Sequence, residues 1–106
     1  MVNKVKTCVF ISGKGSNLSS IVKNSKNYYF PIKVNLVISN KKNAGGLKIA
    51  KKYSIPFKFF SSSNQSKFEK QSLIELKKKK IKFLCLAGFM KILSKNFIES
   101  FGHKII

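Results

Sequence analysis

The sequence predicts a doubly wound α/β fold on a mostly parallel sheet. Apolar runs of strand length alternate with segments of helical spacing along the whole chain. The strand runs are nearly continuous in apolar residues, which is how strands covered on both faces read. The first run ends in the Gly-rich turn Ser12-Gly13-Lys14-Gly15 just before a helical segment. α/β sheets bind their ligands at such a turn.

Taken in order, residues 5–11 read as a buried strand that closes in this turn. Ser16 or Asn17 is then expected to cap a helix, since a short polar side chain accepts from the unpaired amides of a first turn. Leu18, Ile21, Val22 and Ser25 follow at helical spacing and give it one narrow inner face. Pro31 precedes a second strand over 32–38, in which Ile32, Val34, Leu36 and Ile38 alternate. Asn43 is placed to cap a helix over 44–53, with Leu47 and Ala50 inward. Residues 55–60 predict a short third strand, with Pro56 at its start, where a missing N–H is tolerated. Residues 61–64 are a polar loop. A third helix over 66–80 has a loose apolar face of Phe68, Leu73 and Leu76. It ends in the run Lys77 to Lys80, whose charges complement the helix dipole. Residues 81–87 are almost all apolar, so this fourth strand is expected at the centre, and Gly88 breaks it. A short helix over 93–101 follows, with Ser94 as candidate cap. Residues 104–106 begin a fifth strand inside which the chain stops, so the sequence reads as a fragment.

The chain has 106 residues, enough for one domain, and shows no interdomain linker or internal repeat. Its formal net charge is +19, from 22 Lys against three Glu; there is no Arg and no Asp. Without Asp there is no Asp-based triad and no EF-hand loop. Glu69, Glu75 and Glu99 are too few and scattered for a metal cage, and Cys8 and Cys85 form no CxxC pair, so no metal is expected. Two cysteines inside apolar runs suit buried thiols in a reducing compartment. The run from Cys8 to Ile11 is too short for a signal peptide, and no segment reaches membrane-spanning length. A soluble cytoplasmic protein is the expectation. The charge has two readings. A/T-rich codon usage would produce a Lys-, Asn-, Ile- and Phe-rich chain without a partner. Alternatively, the lysines neutralise nucleic-acid phosphates. They are spread along the whole chain, which favours the first reading over a specific nucleic-acid partner.

Two stretches carry chemistry. Ile11-Ser12-Gly13-Lys14-Gly15-Ser16-Asn17-Leu18 lies where a strand turns into a helix. Its glycines allow close backbone approach, and the amides of the next helix point at any anion there, a phosphate most naturally. It is not a dinucleotide fingerprint, because Leu18 stands where a third Gly belongs and no acid lies near residues 35–40. Nor is it a P-loop, because Lys14 is followed by Gly15. A helix cap after a turn explains the local pattern as well as a phosphate loop does. The second stretch is Leu86-Ala87-Gly88-Phe89-Met90-Lys91-Ile92-Leu93, at the end of the fourth strand. In a sheet of order 3-2-1-4 both stretches border one crevice. This one suits a flat aromatic ligand, or simply the packing of a strand end.

Together these stretches, with Ser39-Asn40-Lys41, Ala44-x-Gly46-Leu47 and Ala50 between them, resemble the phosphoribosylglycinamide formyltransferases, or GAR transformylases. The likeness covers the whole chain in order. It implies a Rossmann-like formyltransferase fold, with residues 1–106 forming the N-terminal part of a single domain. It implies formyl transfer from 10-formyltetrahydrofolate to the amine of glycinamide ribonucleotide in purine synthesis. By resemblance, Gly15, Ser16, Asn17, Leu18 and Ser19 hold the substrate's phosphoribosyl end. Met90, Lys91, Ile92 and Leu93 line the folate site. Lys91 replaces the family's Arg, keeping charge but not fork geometry. Gln65 stands where the family commonly has an Arg that contacts the folate. The family's Asn-x-His-Pro motif and later Asp are not among these residues, so no catalytic residue is assigned and the chain alone is expected to be inactive. His103 reads as a surface residue. Another formyl-folate enzyme of the same fold, or a basic nucleic-acid-binding module, are the alternatives.

Overall fold

A parallel strand flanked by helices on both faces must be apolar at nearly every position, and β1 (Val5–Ile11) meets that demand from Thr7 onward. The computed structural model describes residues 3–106. After β1 come α1 (Ser16–Ser25), β2 (Ile32–Ser39), α2 (Gly45–Lys52) and β3 (Phe57–Phe59). Then follow α3 (Gln65–Lys78), β4 (Phe83–Leu86), α4 (Lys95–Phe101) and β5 (Lys104–Ile105). The sheet order is β3-β2-β1-β4-β5, and every neighbouring pair is parallel. The chain winds outward from β1 to β3, returns through α3, and winds the other way through β4 and β5. The reversal falls between β1 and β4, the expected switch point.

Alternation along β1 sends Cys8 and Phe10 to one face and Val9 and Ile11 to the other. The first face is covered from α3 and α4 by Phe68, Leu76, Phe97 and Phe101. The second is covered from α1 and α2 by Leu18, Val22 and Ala50. Phe10 centres an aromatic group, with the rings of Phe68, Phe89 and Phe97 at 5.8, 5.2 and 6.0 Å. At such distances ring contacts add to the stabilisation from buried area.

β2 does not alternate strictly. Its register runs Thr7 to Val34, then Cys8 to Leu36, so Asn35 is an extra residue and forms a bulge. Leu36 and Ile38 thereby join the α3/α4 face, while Val34 and Val37 join the other. Both faces of β2 are covered, and one extra residue lets all four side chains be buried.

Several boundaries differ from the sequence reading. α1 is capped by Gly15 and α2 by Ala44, neither with a side-chain bond, so Ser16, Asn17 and Asn43 do not cap. α3 starts at Gln65 because Asn64 accepts from the Lys67 amide at 3.1 Å. Its buried face is Phe68, Glu69, Ser72 and Leu76, with Leu73 only partly covered. β3 is three exposed edge residues rather than six, and β4 is four rather than seven. Ser94 does cap α4, accepting from the Phe97 amide.

Candidate functional site

The carboxyl ends of β1, β2 and β4 meet at one edge of the sheet, and the loops leaving them carry the candidate residues. Gly15 has φ +87°, a conformation that Gly adopts at no steric cost. A side chain at Gly15 would collide with the backbone of Gly46, which itself lies against the Ile11 side chain. The Gly46 amide donates to the Gly13 carbonyl at 3.1 Å. The start of α2 is thus pressed onto the loop, which is why the cap falls on Gly15. The first bond within α1 runs from the Ser19 amide to the Gly15 carbonyl, 2.8 Å. The amides of Ser16, Asn17 and Leu18 are left without an intrahelical partner, at the positive end of the helix dipole. Ser16 and Asn17 are exposed, Ser19 is half-buried, and Leu18 is wholly in the core. Leu18 therefore offers a ligand only its backbone.

A cavity of about 410 Å³ opens beside this loop. Ser12, Gly13 and Lys14 line one side; Lys41, Lys42 and Asn43 line the other. No carboxylate lines it. Its three lysines favour an anion, while none of residues 15–19 lines it. Lys41 and Lys42 were not candidates from sequence. The signal available was their place directly after a strand that pairs with β1.

The second loop leaves β4 beside the first. The Ala87 amide donates to the Phe10 carbonyl at 2.9 Å, so the chain emerges next to Ser12. The Met90 amide donates to Ser12 Oγ at 2.9 Å. The Ser12 hydroxyl donates to Asn40 Oδ1 at 2.6 Å, and Asn40 Nδ2 donates to Ser62 Oγ at 3.1 Å. One polar chain thus crosses the ends of four adjacent strands. Met90, Lys91 and Ile92 are exposed. The Leu93 side chain is buried in the α3/α4-side core and anchors the loop there.

Glu69 was not singled out from sequence for any role, yet it is buried behind this loop. Ser94 Oγ donates to its Oε1 at 2.6 Å, and the Ser94 amide donates to Oε2 at 2.8 Å. Gln65 Nε2 donates both to Oε2, at 2.9 Å, and to the Ile92 carbonyl, at 3.0 Å. Burial alone would raise the Glu69 pKa, but the Ser94 hydroxyl, the Ser94 amide and Gln65 outweigh it, and the carboxyl sits below its ordinary value.

The remaining chemical groups lie elsewhere. His103 is exposed, edge-on to Phe101, beside the first residue of β5 and so at the opposite edge of the sheet. Cys8 and Cys85 pack on opposite faces of the sheet and are free thiols. Burial pushes both thiols up, Cys8 strongly. Among the described residues no cluster of His, Cys, Asp or Glu could hold a metal ion, and no helix is long and apolar enough to cross a membrane. A larger cavity of about 840 Å³ lies at the amino edge, and seven of its fifteen lining residues are Lys. Several sit near helix C-termini, where cations complement the dipole, and Lys4 Nζ already donates to the Ser25 and Asn27 carbonyls.

Fold and loops together define an α/β protein with a glycine-rich loop and a second, exposed loop side by side at the switch point of a parallel sheet. The Formyl transferase family profile matches residues 5–106, and the chain belongs to that family. Phosphoribosylglycinamide formyltransferase of Haemophilus influenzae is 38% identical over 104 residues, covering 95% of this chain and 49% of that protein. The trifunctional purine biosynthetic protein adenosine-3 of Gallus gallus is 36% identical over 107 residues, covering 98% of this chain and 11% of that protein. The crystal structure of phosphoribosylglycinamide formyltransferase from Brucella melitensis superposes with a TM-score of 0.91 at 31% identity. It covers 97% of this chain and 55% of its own. The chain thus spans about half the length of its single-function relatives.

Proposed function

We propose that this chain carries the ligand-binding half of a phosphoribosylglycinamide formyltransferase. When bound, 10-formyltetrahydrofolate would supply the formyl carbon that becomes bonded to the amine nitrogen of glycinamide ribonucleotide. The observation that carries the reading is the meeting of two loops at Ser12: an anion loop on one side and an apolar, half-anchored loop on the other. The amides of residues 16–18, with Lys14, Lys41 and Lys42, hold the phosphate end of the acceptor. Met90, Lys91 and Ile92 flank the folate. Lys91 keeps a cation where the family has Arg. Gln65 does not reach for the folate as an Arg there would, because both hydrogens of its amide are committed to Glu69 and Ile92.

Proton handling is a separate matter. The Glu69 carboxylate is occupied by three donors, and His103 lies at the other edge of the sheet. The reading therefore assigns binding, and not turnover, to residues 1–106. Calorimetry of the chain with glycinamide ribonucleotide, and with a non-transferring 10-formylfolate analogue, tests it. Both should bind, inorganic phosphate should compete with the first, and a formyl-transfer assay should show no product. Absence of binding for either ligand would sink the reading. Binding of the folate analogue alone would move the acceptor to another class on the same fold.

A further inference from the structure

We propose that Glu69 is a positioning residue: acting through Gln65 and Ser94, its carboxylate holds the backbone of residues 90–93 in the shape that receives the folate. This rests on the reading of that loop as a folate wall. The loop between β4 and α4 has no regular structure, and its tip is unfavourable on its own terms. Ile92 is 93% exposed and Met90 is 73% exposed. Nothing among the described residues covers those side chains, so apolar packing does not fix the tip. What fixes it is polar. Met90 N–H is tied to Ser12 at one end. At the other end Gln65 holds the Ile92 carbonyl, and Glu69 takes both donors of Ser94.

The choice of partners is informative. Glu69 is 8% exposed, and a buried carboxylate is costly unless paired or fully hydrogen-bonded. The chain has 22 Lys, yet among the described residues the one ion pair is Lys95 with Glu99 on the surface. Glu69 is instead satisfied by three neutral donors, two of them on Ser94. Charge-assisted bonds of this kind are short and strong, so they orient what they hold. Gln65 Nε2 faces two acceptors, which fixes which way its amide points. Ser94 also accepts from the Phe97 amide, so the same carboxylate sets where α4 begins. Residues 90–93 are strung between two built anchors, one reached from the anion loop and one from α3.

The test uses the 106-residue chain with Gln65→Ala, which cuts the Ile92 tether and one of the three bonds to Glu69, and Glu69→Gln, which puts an amide donor against Ser94 or Gln65. Three quantities are measured: affinity for a 10-formylfolate analogue, affinity for glycinamide ribonucleotide, and amide hydrogen exchange over residues 90–94. Losing the Ile92 tether should weaken the folate analogue roughly threefold to tenfold in Gln65→Ala. In Gln65→Ala the affinity for glycinamide ribonucleotide and the melting temperature should hold, and exchange at residues 92–94 should quicken in both variants. A purely structural role would weaken both ligands together, and that result overturns the proposal. Unchanged folate affinity in both variants overturns it as well. A wild-type chain that binds glycinamide ribonucleotide but no folate analogue overturns the folate reading of the loop and this proposal's function with it. In that case hydrogen exchange still decides the tether, since unchanged protection in Glu69→Gln would show that none exists.

Discussion

Replacing Gly15 by Ala strikes the anion loop at the one position where backbone and packing both require glycine. The left-handed φ of +87° costs a residue with a side chain about 1–2 kcal/mol. The new Cβ would also meet the Gly46 backbone at a distance real contacts do not allow, and backbone cannot swing aside as a side-chain tip can. Overpacking of this sort costs about 1–3 kcal/mol. A total of about 2–5 kcal/mol is expected, against the roughly 5–15 kcal/mol that holds a small domain folded. Gly13 provides the control, because its φ is not left-handed and a Cβ there meets nothing within 4 Å. Thermal and urea unfolding of both variants should show Gly15→Ala losing about 10 °C or more, and Gly13→Ala close to wild type. Affinity for glycinamide ribonucleotide should fall at least tenfold in Gly15→Ala, since the amides of residues 16–18 move with the loop. Equal melting of the two variants would refute the claim that the α2 contact shapes this loop.

Three further outcomes are expected. Ser12→Ala removes the acceptor of the Met90 amide and the donor to Asn40, so stability should fall by about 1–3 kcal/mol in urea titrations, with folate-analogue binding weakened more than phosphate binding. Glu69 binds its proton less readily folded than unfolded, so its contribution is complete above the ordinary glutamate value of about 4.3 and is lost as pH falls through the lowered folded value. Urea midpoints measured from pH 7 to pH 3 should show this loss, and Glu69→Gln should remove Glu69's share of it. The Cys8 thiol is buried and its pKa pushed up, so alkylation by iodoacetamide at pH 8 should proceed only as fast as the chain unfolds, which mass spectrometry of labelled peptides resolves.

Much of the architecture was legible because it rests on local pattern. Apolar runs located all five strands, although β1 rather than the strand within residues 81–87 stands at the centre of the sheet. The glycine turn and the loop after Ala87 were both placed side by side at the carboxyl edge, and there they meet. What escaped was set by partners distant in sequence. The Asn35 bulge exists because both faces of β2 are covered, which a strictly alternating reading of residues 32–38 could not include. Gly15 displaced Ser16 and Asn17 as the cap because α2 arrives from thirty residues away. Glu69 was invisible because a carboxylate on α3 looks solvent-facing until Ser94, twenty-five residues later, is brought to it. That the Leu93 side chain packs into the core was likewise not legible from its motif.

The polar chain through Ser12 also sets where this protein tolerates a change in length. Its links, from Met90 to Ser12 to Asn40 to Ser62, join four successive strand ends, and each link depends on the neighbouring strand arriving in register. A residue inserted before any one of them would shift that donor or acceptor by more than a hydrogen-bond length. At the opposite edge the turns around residues 26–30 and 53–55 are held mainly by local backbone bonds. Loop variation is therefore cheap at the amino edge and costly at the carboxyl edge, so the end of the sheet with the least regular structure has the least freedom to change length.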